Sequence, residues 1–125
     1  MSITQDRRSS IRYSVSFPIR VEWKNENGEE VAEEGLTENV SRTGALVHLP
    51  RKLPSVGSQV RLIVTENPKD LVTVTAQVLR LERNAAHPQC ALMLTETTKD
   101  WEKKVWQYAG ELIAAEKPDD FDDWN

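Results

Sequence analysis

The sequence predicts an all-β barrel that carries a C-terminal α-helix. Three observations support this. Six short runs alternate apolar and polar residues at the period of a strand, turn residues separate them at short intervals, and after Trp101 the apolar period changes to that of a helix. At 125 residues the chain has the length of one domain. Its 38% hydrophobic content is enough for one core.

The first run places Val15, Phe17, Ile19, Val21 and Trp23 on one face, with Ser16, Pro18, Arg20 and Glu22 between them. A face so divided is buried on one side only. Asn25-Glu26-Asn27-Gly28 is a turn, so the chain returns as a hairpin through a more polar second strand over about Glu29–Val40. Ala45–Leu49 forms the third strand, ended by Pro50 and the Pro54-Ser55-Val56-Gly57 turn. The fourth, Ser58–Thr65, buries Val60, Leu62 and Val64 before Asn67-Pro68 breaks it. Leu71–Arg83 is longer, with Val72, Val74, Ala76 and Val78 inward, and Gln89–Leu94 completes the set. Six strands at such spacing suggest an antiparallel barrel or sandwich.

From Trp101 onward, Trp101, Val105, Tyr108, Leu112 and Ala115 fall at helical spacing over about Thr98–Glu116. Thr97-x-x-Asp100 resembles a capping box, and Pro118 is expected to stop the helix. Trp106 and Ile113 lie about 130° from the centre of the buried stripe at about 100° per residue, so they need another neighbour. Either the barrel edge wraps over them or they belong to an apolar patch for a second subunit or an effector. The organisation is then an N-terminal flexible segment 1–14, a barrel with its helix over 15–116, and an acidic tail 117–125.

Charge is unevenly distributed. Residues 116–125 hold five acids against Lys117, leaving 15 bases and 15 acids elsewhere. Within the neutral body, the first 24 residues carry Arg7, Arg8, Arg12, Arg20 and Lys24 against Asp6 and Glu22, a local excess of three positive charges suited to an anionic partner. No apolar run approaches the roughly 20 residues of a membrane span, and no secretory segment is apparent, so the expected location is cytoplasmic. One cysteine, Cys90, with His48 and His87, excludes an internal disulfide framework and disfavours a four-ligand zinc site. Cys90 is expected to be an inert buried thiol, and the histidines surface or half-buried groups. No clustered acid–base pair or nucleophile with a base is visible, so no catalytic residue is assigned and an enzyme is not expected.

Two segments carry the most specific chemistry. Arg7-Arg8-Ser9-Ser10-Ile11-Arg12 precedes the first long strand, and Asn39-Val40-Ser41-Arg42-Thr43-Gly44 joins the second strand to the third. Taken alone, the second is equally an Asx or serine turn whose glycine supplies a positive φ. Arg42 within it suits a phosphate contact or a solvated loop position.

In this order and about 30 residues apart, the two segments resemble the signatures of the PilZ domain family: Arg-Arg-x-x-x-Arg, then Asp or Asn-x-Ser-x-x-Gly, an apolar strand, and a glycine-containing turn. The later parts match Gly44-Ala45-Leu46-Val47 and Pro54–Leu62, so the resemblance covers roughly Arg7–Leu94. It implies a six-stranded antiparallel PilZ-type β-barrel that binds the bacterial second messenger cyclic di-GMP and acts on an effector protein. Two departures are the last strand, Cys90–Leu94, which lacks the Gly and Phe often found there, and Asn39 in place of the more frequent Asp. The first bears on packing and the second on affinity.

The chemistry of the residues agrees with this ligand. A guanidinium donates two parallel hydrogen bonds to guanine O6 and N7 or to phosphate oxygens, and its flat face stacks on a purine, which lysine cannot do. The resemblance implies that Arg7, Arg8 and Arg12 wrap over the ligand and divide these contacts. Asn39 Oδ1 can accept from guanine N1–H or N2–H₂, Ser41 adds a small donor or acceptor, and Gly44 lets the backbone approach the purine without a Cβ. No metal and no cofactor are expected besides this ligand, taken up as one molecule or as a stacked pair, in a monomer or a dimer. Two alternatives are a PilZ-like protein-interaction adaptor without ligand binding and a small nucleic-acid-binding barrel. A neutral body, a pI of about 5.2 and only 6% aromatic residues argue against a nucleic-acid polymer.

Overall fold

The computed structural model describes residues 11–124, with side chains described as far as Glu116. Seven strands precede the helix: β1 (Arg12–Tyr13), β2 (Pro18–Lys24), β3 (Glu30–Ser41), β4 (Gly44–His48), β5 (Gln59–Val64), β6 (Val72–Glu82) and β7 (Gln89–Leu94). All pair antiparallel in the order β1-β3-β2-β5-β6-β7-β4, and an added β3–β4 pairing closes the last six into a barrel. β3 makes closure possible because it is long enough to pair β2 along Glu30–Leu36 and β4 along Leu36–Val40. Closure leaves the barrel without an open edge. This is the six-stranded antiparallel barrel that the strand pattern and the family resemblance imply, with β1 as an additional strand on β3.

The alternating positions fill the interior. Phe17, Ile19, Val21, Trp23, Val60, Leu62, Val64, Val72, Val74, Ala76, Val78, Cys90, Leu92 and Leu94 are all buried in one core. Between them, Arg20, Glu22 and Arg61 face outward and form a surface ion-pair chain at 2.8 and 3.2 Å. Burial pushes the Cys90 thiol up to about 12, as a thiolate has no water to solvate it there.

Several boundaries differ from those the sequence predicts. The first long strand begins at Pro18 rather than Val15. The preceding residues turn over the buried Thr37, whose hydroxyl donates to the Val15 carbonyl and accepts from the Phe17 N–H. Two bulges interrupt the period of two. On β3 the register slips between Thr37 and Asn39, leaving Glu38 as the extra residue; on β6 it slips between Val78 and Arg80, leaving Leu79 half exposed. Arg12 and Tyr13, expected within the N-terminal segment, form β1.

The helix departs furthest. It begins with π-helical bonding over Trp101–Gln107 and continues as α1 over Tyr108–Trp124. Its cap is Thr98 rather than Thr97, since Thr98 Oγ1 accepts from the Trp101 N–H at 3.1 Å. Bonding from i to i+5 rotates the buried face, so Trp101, Val105 and Ala109 are fully covered while Tyr108, expected on the buried stripe, is exposed with its ring stacked on Phe17. Pro118 does not stop the helix, which runs on into the segment expected to be a tail. Proline forfeits its own hydrogen bond, but its fixed φ of about −65° lies within the helical range. No helix of the described residues is long and apolar enough to cross a membrane.

Candidate functional site

β1 joins the two motifs. Arg12 pairs with Ser41 and Tyr13 with Val40, which brings the last arginine of the first motif beside the second although 27 residues separate Arg12 from Asn39. The Arg12 Nη1 donates to Asn39 Oδ1 at 3.2 Å on the exposed surface. Arg7 and Arg8 lie outside the described residues.

The turn that follows Asn39 is built from inside. Ser41 is buried, and its hydroxyl donates to the Gly44 carbonyl and accepts from the Thr43 N–H, each at 3.3 Å. Its backbone carbonyl accepts from Trp101 Nε1 at 3.0 Å, so the barrel and the start of the helix meet at this residue. The Thr43 carbonyl accepts from the Leu94 N–H at 2.9 Å.

One reading of Gly44, the positive φ, requires correction. Among the described residues the glycines with positive φ are Gly28 and Gly57, so Gly44 does not supply a left-handed turn. A Cβ at Gly44 would stand 2.3 Å from the Leu92 carbonyl oxygen; the close approach that requires glycine is therefore to β7.

Arg42 is exposed but tethered to the helix. Its guanidinium sits 3.0 Å from Glu102 and 6.0 Å from the Trp106 ring centroid, within cation–π range. Trp106 in turn lies 5.9 Å from the Tyr13 ring, and its Nε1 donates to the Ile11 carbonyl at 3.4 Å. Trp106 is thus partly covered from the barrel side, by β1 and the residue before it, and Ile113 is likewise partly buried. Tyr13, Trp106 and Arg42 pack in series between β1 and the helix. Neither contact is legible in the sequence, because a two-residue strand has no period and a π segment reads as α in sequence.

The exposed side of β1 and β3 therefore presents a guanidinium donor, Arg12, beside an amide acceptor, Asn39, while the Tyr13 ring turns to the opposite face, toward the helix. An open groove of about 630 Å³ lies elsewhere, lined by residues such as Arg20, Trp23, Lys24 and Arg61, with no contribution from either motif.

The histidines are half-buried (His48) and exposed (His87), as expected, and they adjoin each other. Their rings stack at 4.1 Å between centroids, and Glu38 reaches the pair through a hydrogen bond to His87 Nε2. Only the β4–β7 pairing brings them together, and no local signal in the sequence reports it.

A search among curated proteins finds no match for this chain. Among solved structures, the Bacillus subtilis inhibitor of motility MotI/DgrA superposes with a TM-score of 0.66 at 20% identity, covering 89% of this chain and 53% of that one. Escherichia coli YcgR in complex with c-di-GMP gives 0.66 at 15% identity, covering 95% and 51%. The chain thus spans about half the length of these two proteins. The PilZ domain of Escherichia coli YcgR with c-di-GMP gives 0.63 at 17% identity, covering 90% of this chain and 98% of that one. At such identities the likeness concerns the fold, which is shared from the barrel through the helix. The family model described as PilZ domain matches residues 6–110, a span that includes both motifs, the closed barrel and the Trp101 turn, and the chain belongs to the PilZ domain family.

Proposed function

We propose that this chain is a non-catalytic receptor for cyclic di-GMP, which it grips through the Arg7-Arg8-x-x-x-Arg12 and Asn39-x-Ser41-x-x-Gly44 motifs, and that it relays the bound state to a protein partner. The observation that carries this reading is the pairing of β1 with the end of β3, which sets Arg12 beside Asn39. Structural neighbours solved with c-di-GMP add support.

In this reading Arg7, Arg8 and Arg12 supply forked donors to guanine edges and phosphates, and Asn39 accepts from a guanine N–H. Ser41 and Gly44 act through the shape of the turn, consistent with a buried hydroxyl and a glycine pressed against β7. A ligand that draws the arginines over the turn reorders the residues packed on Trp106, and differential affinity for the two arrangements is what a relay needs.

Calorimetry with cyclic di-GMP beside a short single-stranded oligonucleotide tests the assignment. Saturable binding of the dinucleotide alone, weakened in Arg8→Ala and in Arg12→Ala, is expected. Oligonucleotide binding would point to a nucleic-acid barrel, and absence of both to a ligand-free adaptor.

A further inference from the structure

The geometry points to a second site, unrelated to the dinucleotide: a binding site for one divalent transition-metal ion of the zinc class, held by Glu38, His48 and His87. Each residue offers one ligand atom, and the three atoms lie within 4.8 Å of one another.

Three separate pieces of chain build the cluster. Glu38 is the extra residue of the β3 bulge, and a bulge re-aims the side chain it carries. His48 ends β4 and pairs with Gln89 at the start of β7. His87 is set by the turn before β7, where the Asn84 side chain accepts from the Ala86 N–H at 2.9 Å and the Asn84 carbonyl accepts from the His87 N–H at 3.0 Å.

The outer contacts favour metal binding as well. His48 Nδ1 faces the Pro88 carbonyl at 2.8 Å. A carbonyl only accepts, so that nitrogen carries the hydrogen and Nε2 keeps the lone pair; an imidazole oriented by a backbone carbonyl in this way is the usual support of a metal-ligating histidine. Two imidazoles and one carboxylate select zinc, nickel, copper or cobalt over magnesium and calcium, which prefer all-oxygen sets. Three protein ligands leave a fourth position for water.

Metal–ligand bonds of about 2.0–2.1 Å space tetrahedral ligands about 3.4 Å apart, so the set must draw in by about 1.4 Å at its widest. As it does so, His87 turns out of its stacked orientation on His48 so that both ring lone pairs meet one ion, and Glu38 backs away from the Nε2 it now hydrogen-bonds. The His87 side chain, 48% exposed on a turn, and the bulge carboxylate supply that movement. Cys90 is no competitor, because it is fully buried on the core side of β7. An ion held here ties the β3 bulge to the β6–β7 turn and steadies the strand end that presents Asn39.

The test uses the full chain without a histidine tag, stripped with a chelator and titrated with Co²⁺ or Zn²⁺ alone. One Co²⁺ per chain is expected, with visible absorption of a low-coordinate ion bound by nitrogen and oxygen. His48→Ala and His87→Ala should each weaken binding by at least about tenfold. Zn²⁺ should raise the melting temperature of the wild type but not of His87→Ala. His87→Ala changes an exposed turn residue, and its metal-free melting temperature, matching the wild type, shows that the fold is kept. No saturable uptake, or uptake unchanged in both histidine variants, overturns the proposal. Cyclic di-GMP is absent from every arm, so failure here is distinct from failure of the receptor reading.

Discussion

Arg12, the last arginine of the first motif, meets the second motif on the barrel, but the two are held there in different ways. The Asn39–Gly44 turn is fixed from several directions: by the Ser41 hydroxyl within it, by Trp101 from the helix, and by Leu92 and Leu94 from β7. Arg12 is held by a two-residue strand and one exposed hydrogen bond to Asn39. The turn is part of the core; the arginine is attached at its surface. This division suits a receptor in which a rigid element defines position while long cationic side chains close on the ligand, so that ordering costs fall on the arginines alone.

Removing the deepest anchor should break the contrast with the largest effect. Trp101 is fully buried, and Trp101→Ala removes its bulk and leaves the Ser41 carbonyl without its partner. A loss of about 3–5 kcal/mol in urea unfolding is expected. Trp101→Phe keeps most of the volume and should cost about 1–3 kcal/mol, the penalty of an unsatisfied buried acceptor. Near-wild-type stability in both variants would mean that the helix does not hold the turn.

Arg12→Ala probes the other side. Its unfolding midpoint should stay within about 0.5 kcal/mol of wild type, since the contact it loses is exposed. Affinity for cyclic di-GMP should fall about tenfold or more, because hydrogen bonds to charged groups are worth about 1.5–3 kcal/mol each. Unchanged affinity here and in Arg8→Ala would remove the arginines from the ligand site.

Ser41→Ala lies between the two and sharpens the comparison. The buried hydroxyl satisfies both the Thr43 N–H and the Gly44 carbonyl, so its loss should cost about 1–2 kcal/mol of stability. Affinity should fall less than in Arg12→Ala, through a loosened turn. A larger loss of affinity than for the arginine, with stability unchanged, would make Ser41 a direct contact instead.

What was legible in the sequence follows the same division. Alternation exposed the barrel because each strand has one buried face, and Val72 to Val78 or Ile19 to Trp23 can be read without knowing their partners. Motif spacing exposed Arg12, Asn39 and Ser41. The bulge at Glu38, the π segment at Trp101 and the stacking of His48 on His87 are tertiary outcomes. Each depends on a neighbour distant in sequence, and the local pattern is compatible with the regular alternative. Gly44 shows a subtler difference: it has no positive φ, and the requirement for glycine visible in the fold is its contact with Leu92, a partner distant in sequence.

The smallest expected effect concerns the one side chain that links the two regions. Asn39→Asp places a charged acceptor where Arg12 already donates, and the same acceptor faces the ligand in the proposed function. In the ligand-free protein the new Arg12–Asp pair is exposed and worth about 0.2–1 kcal/mol, which opposes release of the arginine. In the complex, a hydrogen bond from guanine N1–H to a carboxylate is about twice as strong as one to an amide. The second gain exceeds the first, so cyclic di-GMP should bind the variant as tightly as wild type or more tightly. Salt separates the two contributions, because the exposed pair is screened while the contact covered by the ligand is screened less. Calorimetry at low and moderate salt should therefore show the advantage of the Asp variant growing with ionic strength. Binding that is tenfold weaker at both salts would mean that Asn39 serves only to hold Arg12 against the turn.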